Sequence, residues 1–128
     1  MYSEEKYPLK EVTDKIISAA IEVHSTLGPG LLESVYEEAL AHEFDLRKIS
    51  YERQKKICLK YKGKEIGVHR IDFMVESSVI LELKAVEEMN RIFEAQLLTY
   101  LRATGNRVGL LINFNVQRLK DGLKRLVV

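Results

Sequence analysis

Apolar side chains change period several times along the chain, and each change marks a predicted element. Over residues 9–27, Leu9, Val12, Ile16, Ala19 or Ala20, and Val23 recur every three or four positions. That is one buried helical face. Gly28-Pro29-Gly30 ends it, because proline cannot continue a helix. A second helix is predicted over residues 31–48, with Leu32, Val35, Ala39, Leu40 and Phe44 as its stripe. The period then drops to two. Residues 51–61 read as a strand in which Ile57, Leu59 and Tyr61 alternate with Lys56, Cys58 and Lys60. Tyr61-Lys62-Gly63-Lys64 reads as a turn, so a hairpin into a second strand over 65–75 is expected. There Ile71, Phe73 and Val75 should share one face, and Arg70, Asp72 and Met74 the other.

Ser77-Ser78 leads tightly into a third strand over 79–86, apolar on both faces as in the middle of a sheet. A third helix over 90–103 closes at Thr104-Gly105-Asn106. A fourth strand follows over 107–114. Val116, Leu119, Leu123 and Leu126 then predict a terminal helix over 116–126. The expected order is helix, helix, strand, strand, strand, helix, strand, helix. At 128 residues, without repeat or linker, residues 1–128 read as a single α/β domain.

With 46% hydrophobic and 30% charged residues, disordered and collagen-like classes are excluded. No apolar run approaches the roughly 20 residues of a membrane helix. Met1-Tyr2-Ser3-Glu4-Glu5 lacks the basic start and apolar stretch of a signal peptide. Cys58 is the single cysteine, so no internal disulfide forms, and it reads as structural. The expectation is a cytoplasmic domain with no membrane contact. The net charge of +1 hides segregation. Residues 1–46 carry 3 basic and 10 acidic side chains, and residues 47–70 carry 9 and 2. Residues 71–97 carry 2 and 6, and residues 98–128 carry 6 and 1. Basic segments around an acidic one would suit a phosphate-binding surface around carboxylates. Solvated faces of ordinary strands and helices would give the same segregation.

The candidate chemistry starts in the third strand. Glu82 and Lys84 are two apart and project to one side. A strand with one wet face would account for both. Asp72 changes the picture: in a hairpin-paired second strand it can lie beside Glu82. Two close carboxylates repel unless one is protonated or a cation lies between them. Hard oxygen donors of this kind suit Mg²⁺ or Mn²⁺. Gln96 and Tyr100 share a face of the third helix, four residues apart. Glu33 and Tyr36 lie one turn apart at the start of the second, where a carboxylate also favours the helix dipole. His24, His42 and His69 read as surface or edge residues. His69 should face away from Asp72, being at odd spacing from it.

Together these residues resemble a known family. Asp72, then Glu82-Leu83-Lys84 on the next strand, then a helix, is similar to the PD-(D/E)XK nuclease superfamily. Gln96-Leu97-Leu98-Thr99-Tyr100 resembles the Q-x-x-x-Y motif of its RecB-like branch. Gly30, Glu33 and Tyr36 resemble the signature of the GxxExxY proteins. Glu94-Ala95-Gln96 through Leu101 and Gly109 through Phe114 also look like that family, so the likeness spans about residues 9–126.

The resemblance implies a restriction-endonuclease-like α-β-β-β-α-β core, a mixed four-stranded sheet flanked by helices, with an extra N-terminal helix. It implies Asp72 and Glu82 as Mg²⁺ or Mn²⁺ ligands, with Glu33 joining directly or through water. Lys84 would be the catalytic lysine, and Gln96 and Tyr100 would complete the catalytic set as the helix pair that supports the site and touches DNA phosphate. Ile71 stands where the superfamily name has proline, and Phe93 where the family pattern places a histidine. The implied activity is metal-dependent hydrolysis of nucleic acid, DNA before RNA, by a chain that could act as a homodimer. Lys55, Lys56, Lys60, Lys62 and Lys64, with Arg118, Lys120, Lys124 and Arg125, would contact the backbone. A catalytically inactive nucleic-acid-binding or regulatory module on the same fold is the alternative.

Overall fold

The computed structural model describes residues 7–128. The chain start, read above for a signal peptide, lies outside the described residues. Helices α1 (Lys10–Leu27) and α2 (Glu33–Leu46) come first. Strands β1 (Tyr51–Tyr61), β2 (Lys64–Val75) and β3 (Val79–Lys84) follow, then helix α3 (Arg91–Thr104) and strand β4 (Val108–Asn113). A 3₁₀ turn (Leu119–Gly122) and strand β5 (Leu123–Val127) complete the chain. Among the described residues no helix is long and apolar enough to cross a membrane.

The local chemistry explains most boundaries. Gly28 takes φ 73° and its N–H caps the His24 carbonyl, which ends α1. Asn90 accepts a hydrogen bond from the Ile92 N–H and starts α3, and left-handed Gly105 ends it. Lys62 and Gly63 both adopt positive φ, as a two-residue hairpin turn requires.

The sheet order is β1-β2-β3-β4-β5. Only β3 and β4 run parallel, and α3 supplies the crossover that a parallel pair needs. One face of the sheet packs under α1 and α2 through Phe73, Val75, Leu81, Leu83, Leu110 and Ile112. The other packs under α3 through Ile57, Ile71, Met74, Ile80 and Leu111. As expected of an interior strand, the first five residues of β3 are buried.

The structure corrects four expectations. The terminal helix over 116–126 is a 3₁₀ turn and a strand, so the sheet has five strands rather than four. Pairing wins over period there: β4 is buried along its whole length, and an unpaired β4 edge would strand its backbone groups. Gly122 permits the approach, because a Cβ at that position would stand 2.2 Å from the Asn113 carbonyl oxygen. His24 is buried, not peripheral, and its Nε2 donates to the Val116 carbonyl at 2.8 Å.

The third correction is that Ile71 does not share a face with Phe73 and Val75. The alternation of β2 slips at Asp72, and that of β1 slips at Gln54, which holds φ 50°. The ladder pairs Arg53 with Phe73 and Lys55 with Ile71, leaving Gln54 and Asp72 between them unpaired. The fourth correction concerns α2: Leu32 and Val35 are exposed, because Tyr36 takes the inward position and stacks on Phe114, and Tyr36, Leu40, Ala41 and Phe44 carry the buried face. His69 is exposed, as expected, and its ring meets the Tyr100 hydroxyl.

Candidate functional site

β2 and β3 are laddered at only three positions, Val75–Val79, Met74–Ile80 and Phe73–Leu81. Continuing that register would place Asp72 opposite Glu82. There the strands fork, and side chains take over from the ladder. The Asp72 N–H donates to Glu82 Oε2 at 2.7 Å, and the Leu83 N–H donates to Asp72 Oδ2 at 2.8 Å. The two carboxylates are thus interlocked, each bound to the other's strand.

Burial raises the pKa of both, because desolvation disfavours the charged form. The Glu82 carboxyl is pushed up to about 8, first by desolvation and then by the Asp72 charge. Asp72 is raised by desolvation, against the Leu83 hydrogen bond, with Glu37 adding to the rise. Glu33 stands at the open first turn of α2. Its carboxyl is raised by desolvation and by Asp72, and lowered by Lys84.

Lys84 lies two residues beyond Glu82 on the last position of β3. Its Nζ sits 4.3 Å from the Phe93 ring centroid, a cation–π contact with the first turns of α3. The backbone behind it is clamped. The Phe114 N–H donates to the Lys84 carbonyl, and the buried Asn113 amide exchanges two hydrogen bonds with the Val86 backbone. Tyr100 is buried on the α3 face. Its hydroxyl is raised by desolvation and then by Glu82 and Asp72. Gln96 lies exposed one turn before it.

Glu37, Arg53 and Gln54, which the residue pattern did not single out, complete the surroundings together with His69 and Tyr36. Buried Glu37 receives Arg53 Nε at 3.1 Å and Nη2 at 2.8 Å on one oxygen, and the Gln54 amide at 3.0 Å on the other. Gln54 also donates to Asp72 Oδ1 at 3.2 Å. His69 Nδ1 lies 3.2 Å from the Tyr100 hydroxyl. One signal for Glu37 was available, namely its place one turn after Glu33. Tyr36 closes the preceding loop: its hydroxyl donates to the Gly28 carbonyl, accepts from the Leu31 N–H, and its ring stacks on Phe114.

The basic residues divide. Lys56, Lys60, Lys62 and Lys64 are exposed on the β1–β2 hairpin. Lys55 pairs with Glu52, Arg118 with Asp121 and Lys124 with Glu94. Lys120 is exposed. Arg125 ties β5 to the start of α1, donating to Thr13 Oγ1 and the Pro8 carbonyl.

Among the described residues no three His, Cys, Asp or Glu side chains gather into a ready-made metal cage. The donor chemistry nevertheless fits a hard cation. Mg²⁺ is commonly held by one or two carboxylates, with water and phosphate oxygens completing its shell. Three acids raised first by desolvation and then by neighbouring carboxylates form a place where positive charge is favoured.

A family model of the PD-(D/E)XK nuclease superfamily matches residues 10–126. The chain belongs to that superfamily. Its fold is accordingly restriction-endonuclease-like. α2, β1, β2, β3, α3 and β4 form the α-β-β-β-α-β core, with α1 ahead and β5 after. PD-(D/E)XK proteins are typically nucleases and generally use divalent metals. No curated protein and no solved structure matches the chain.

Proposed function

We propose that this PD-(D/E)XK chain is a metal-dependent nuclease that hydrolyses phosphodiester bonds, with DNA as its preferred substrate, in the cytoplasm. The observation that carries the reading is the fork. There β2 and β3 stop pairing, Asp72 and Glu82 interlock, and the Lys84 charge acts on both at the end of the buried strand β3. Asp72 and Glu82 would hold Mg²⁺ or Mn²⁺, and Glu33 would join from the α2 side. A cation bound there supplies positive charge to the scissile phosphate and makes a neighbouring water more acidic. The protein's own groups do the rest. Lys84 orients the attacking water and stabilises charge developing on the phosphate, its ammonium steadied by Phe93. Tyr100 and Gln96 support the site from α3 and contact phosphate at its rim. The exposed hairpin lysines grip the backbone without reading sequence.

Calorimetric titration of Mn²⁺ and Mg²⁺ into wild type and Asp72→Asn tests this directly, followed by cleavage assays on single- and double-stranded DNA and on RNA. The expected result is binding and chelator-sensitive cleavage in wild type, both lost in the variant. Nucleic-acid binding that ignores chelator, without cleavage or metal uptake, would instead establish an inactive binding module.

A further inference from the structure

Gln54 contributes nothing to either apolar core, yet the backbone departs from regular strand geometry to place it. Its φ of 50° lies in the left-handed region, which residues bearing a Cβ avoid. The other non-glycine residues with positive φ lie at helix ends and turns: Leu9, Lys48, Lys62, Glu76 and Ser77. Among the described residues, Gln54 alone holds that conformation inside a strand.

The side chain shows what the distortion achieves. One amide nitrogen donates to two carboxylates, Glu37 Oε1 at 3.0 Å and Asp72 Oδ1 at 3.2 Å. Glu37 is itself anchored by Arg53, through both Nε and Nη2. Asp72 Oδ2 takes the Leu83 N–H from the opposite side. The Asp72 carboxylate is therefore gripped by β1 through one oxygen and by β3 through the other. An amide is suited to this place. It offers two N–H donors and carries no charge. It steadies the carboxylates without cancelling the negative charge that a cation requires, as a lysine there would.

We propose that Gln54 is a positioning residue for Asp72, with Glu37 and Arg53 as its anchor. Gln54 aims the Asp72 carboxylate into the fork. The consequence for metal rests on the nuclease reading above; the alignment of Asp72 does not.

The test uses two variants of the full chain, Gln54→Gly and Gln54→Met, and two readouts. Glycine relaxes the left-handed backbone, and methionine keeps the length of the side chain; both remove the amide. In metal-free protein, hydrogen exchange at the Leu83 amide reports the grip on Asp72, with the Ile112 amide as control. Losing one such bond should speed Leu83 exchange about tenfold in both variants and leave Ile112 unchanged. Mn²⁺ affinity should fall by a similar factor. Gln54→Gly should melt no lower than Gln54→Met. A residue serving only as a kink predicts that Gln54→Gly keeps both wild-type exchange and wild-type affinity. Wild-type Leu83 exchange in either variant overturns the proposal, as does wild-type Mn²⁺ affinity in both. Wild-type protein that takes up no Mn²⁺ overturns the nuclease reading instead, and the exchange result then decides the role of Gln54.

Discussion

The two halves of β3 are neighbours on one six-residue strand, and both pair with β4 throughout. Val79, Ile80 and Leu81 also pair with β2, and they are fully buried. Glu82, Leu83 and Lys84 have no β2 ladder, and two of the three are ionisable. On that side the backbone is satisfied by carboxylates: Asp72 N–H by Glu82, Leu83 N–H by Asp72. The difference shows how a sheet makes room for chemistry without leaving its amides unpaired. Giving up the ladder opens a slot, and filling it with carboxylates concentrates negative charge where solvent is scarce. Desolvation opposes that arrangement, so the apolar half must supply the stability that the forked half does not.

This division can be broken from either side. The largest expected effect belongs to the apolar half. Leu81→Ala removes a fully buried side chain and should cost about 2–5 kcal/mol in urea unfolding. Metal affinity per folded molecule should stay at the wild-type value. On the forked half, Lys84→Ala should lower the rate of nucleic-acid cleavage by at least about a hundredfold. Its melting temperature should fall by much less than that of Leu81→Ala, since the lysine is only half-buried, although its charge offsets those of Glu33, Asp72 and Glu82. A Lys84→Ala protein as unstable as Leu81→Ala would end the distinction between the halves.

Much of the molecule was legible in the residue pattern. The stripe of α1, the Leu40 and Phe44 part of the α2 stripe, the hairpin and the interior character of β3 follow from local periodicity and from turn residues such as Lys62-Gly63. Glu82 and Lys84 were legible because they interrupt an otherwise apolar strand, and Asp72 because hairpin pairing sets it beside Glu82. What was hidden depended on distant partners. The spacing of Val116, Leu119, Leu123 and Leu126 suits a helix, and only the open edge of β4 makes residues 123–127 a strand. The slip at Gln54 and Asp72 was hidden for a related reason. Strict alternation is the default for any strand, and nothing local to Gln54 announces a left-handed residue there. That one slip misplaced Ile71, and it concealed the link from Glu37 to Asp72.

The smallest effect is also the one that separates the halves by pH. Glu82 has a folded pKa raised from 4.5 to about 8. Between those values the native state keeps a proton that the unfolded chain has released, so stability falls as pH rises through this window. Asp72 is also raised and adds to the fall with the same sign. Glu82→Gln removes the ionisation and keeps an oxygen able to accept the Asp72 N–H. Metal-free Glu82→Gln should therefore melt several degrees above wild type at pH 8, and the two should converge toward pH 4.5. Thermal melts across that range in chelator decide it: a variant that melts below wild type at pH 8 refutes the account of the fork as electrostatically strained. Saturating Mn²⁺ should reverse the order, because wild type gains stability from binding as its carboxylates deprotonate, and the variant has lost one of them.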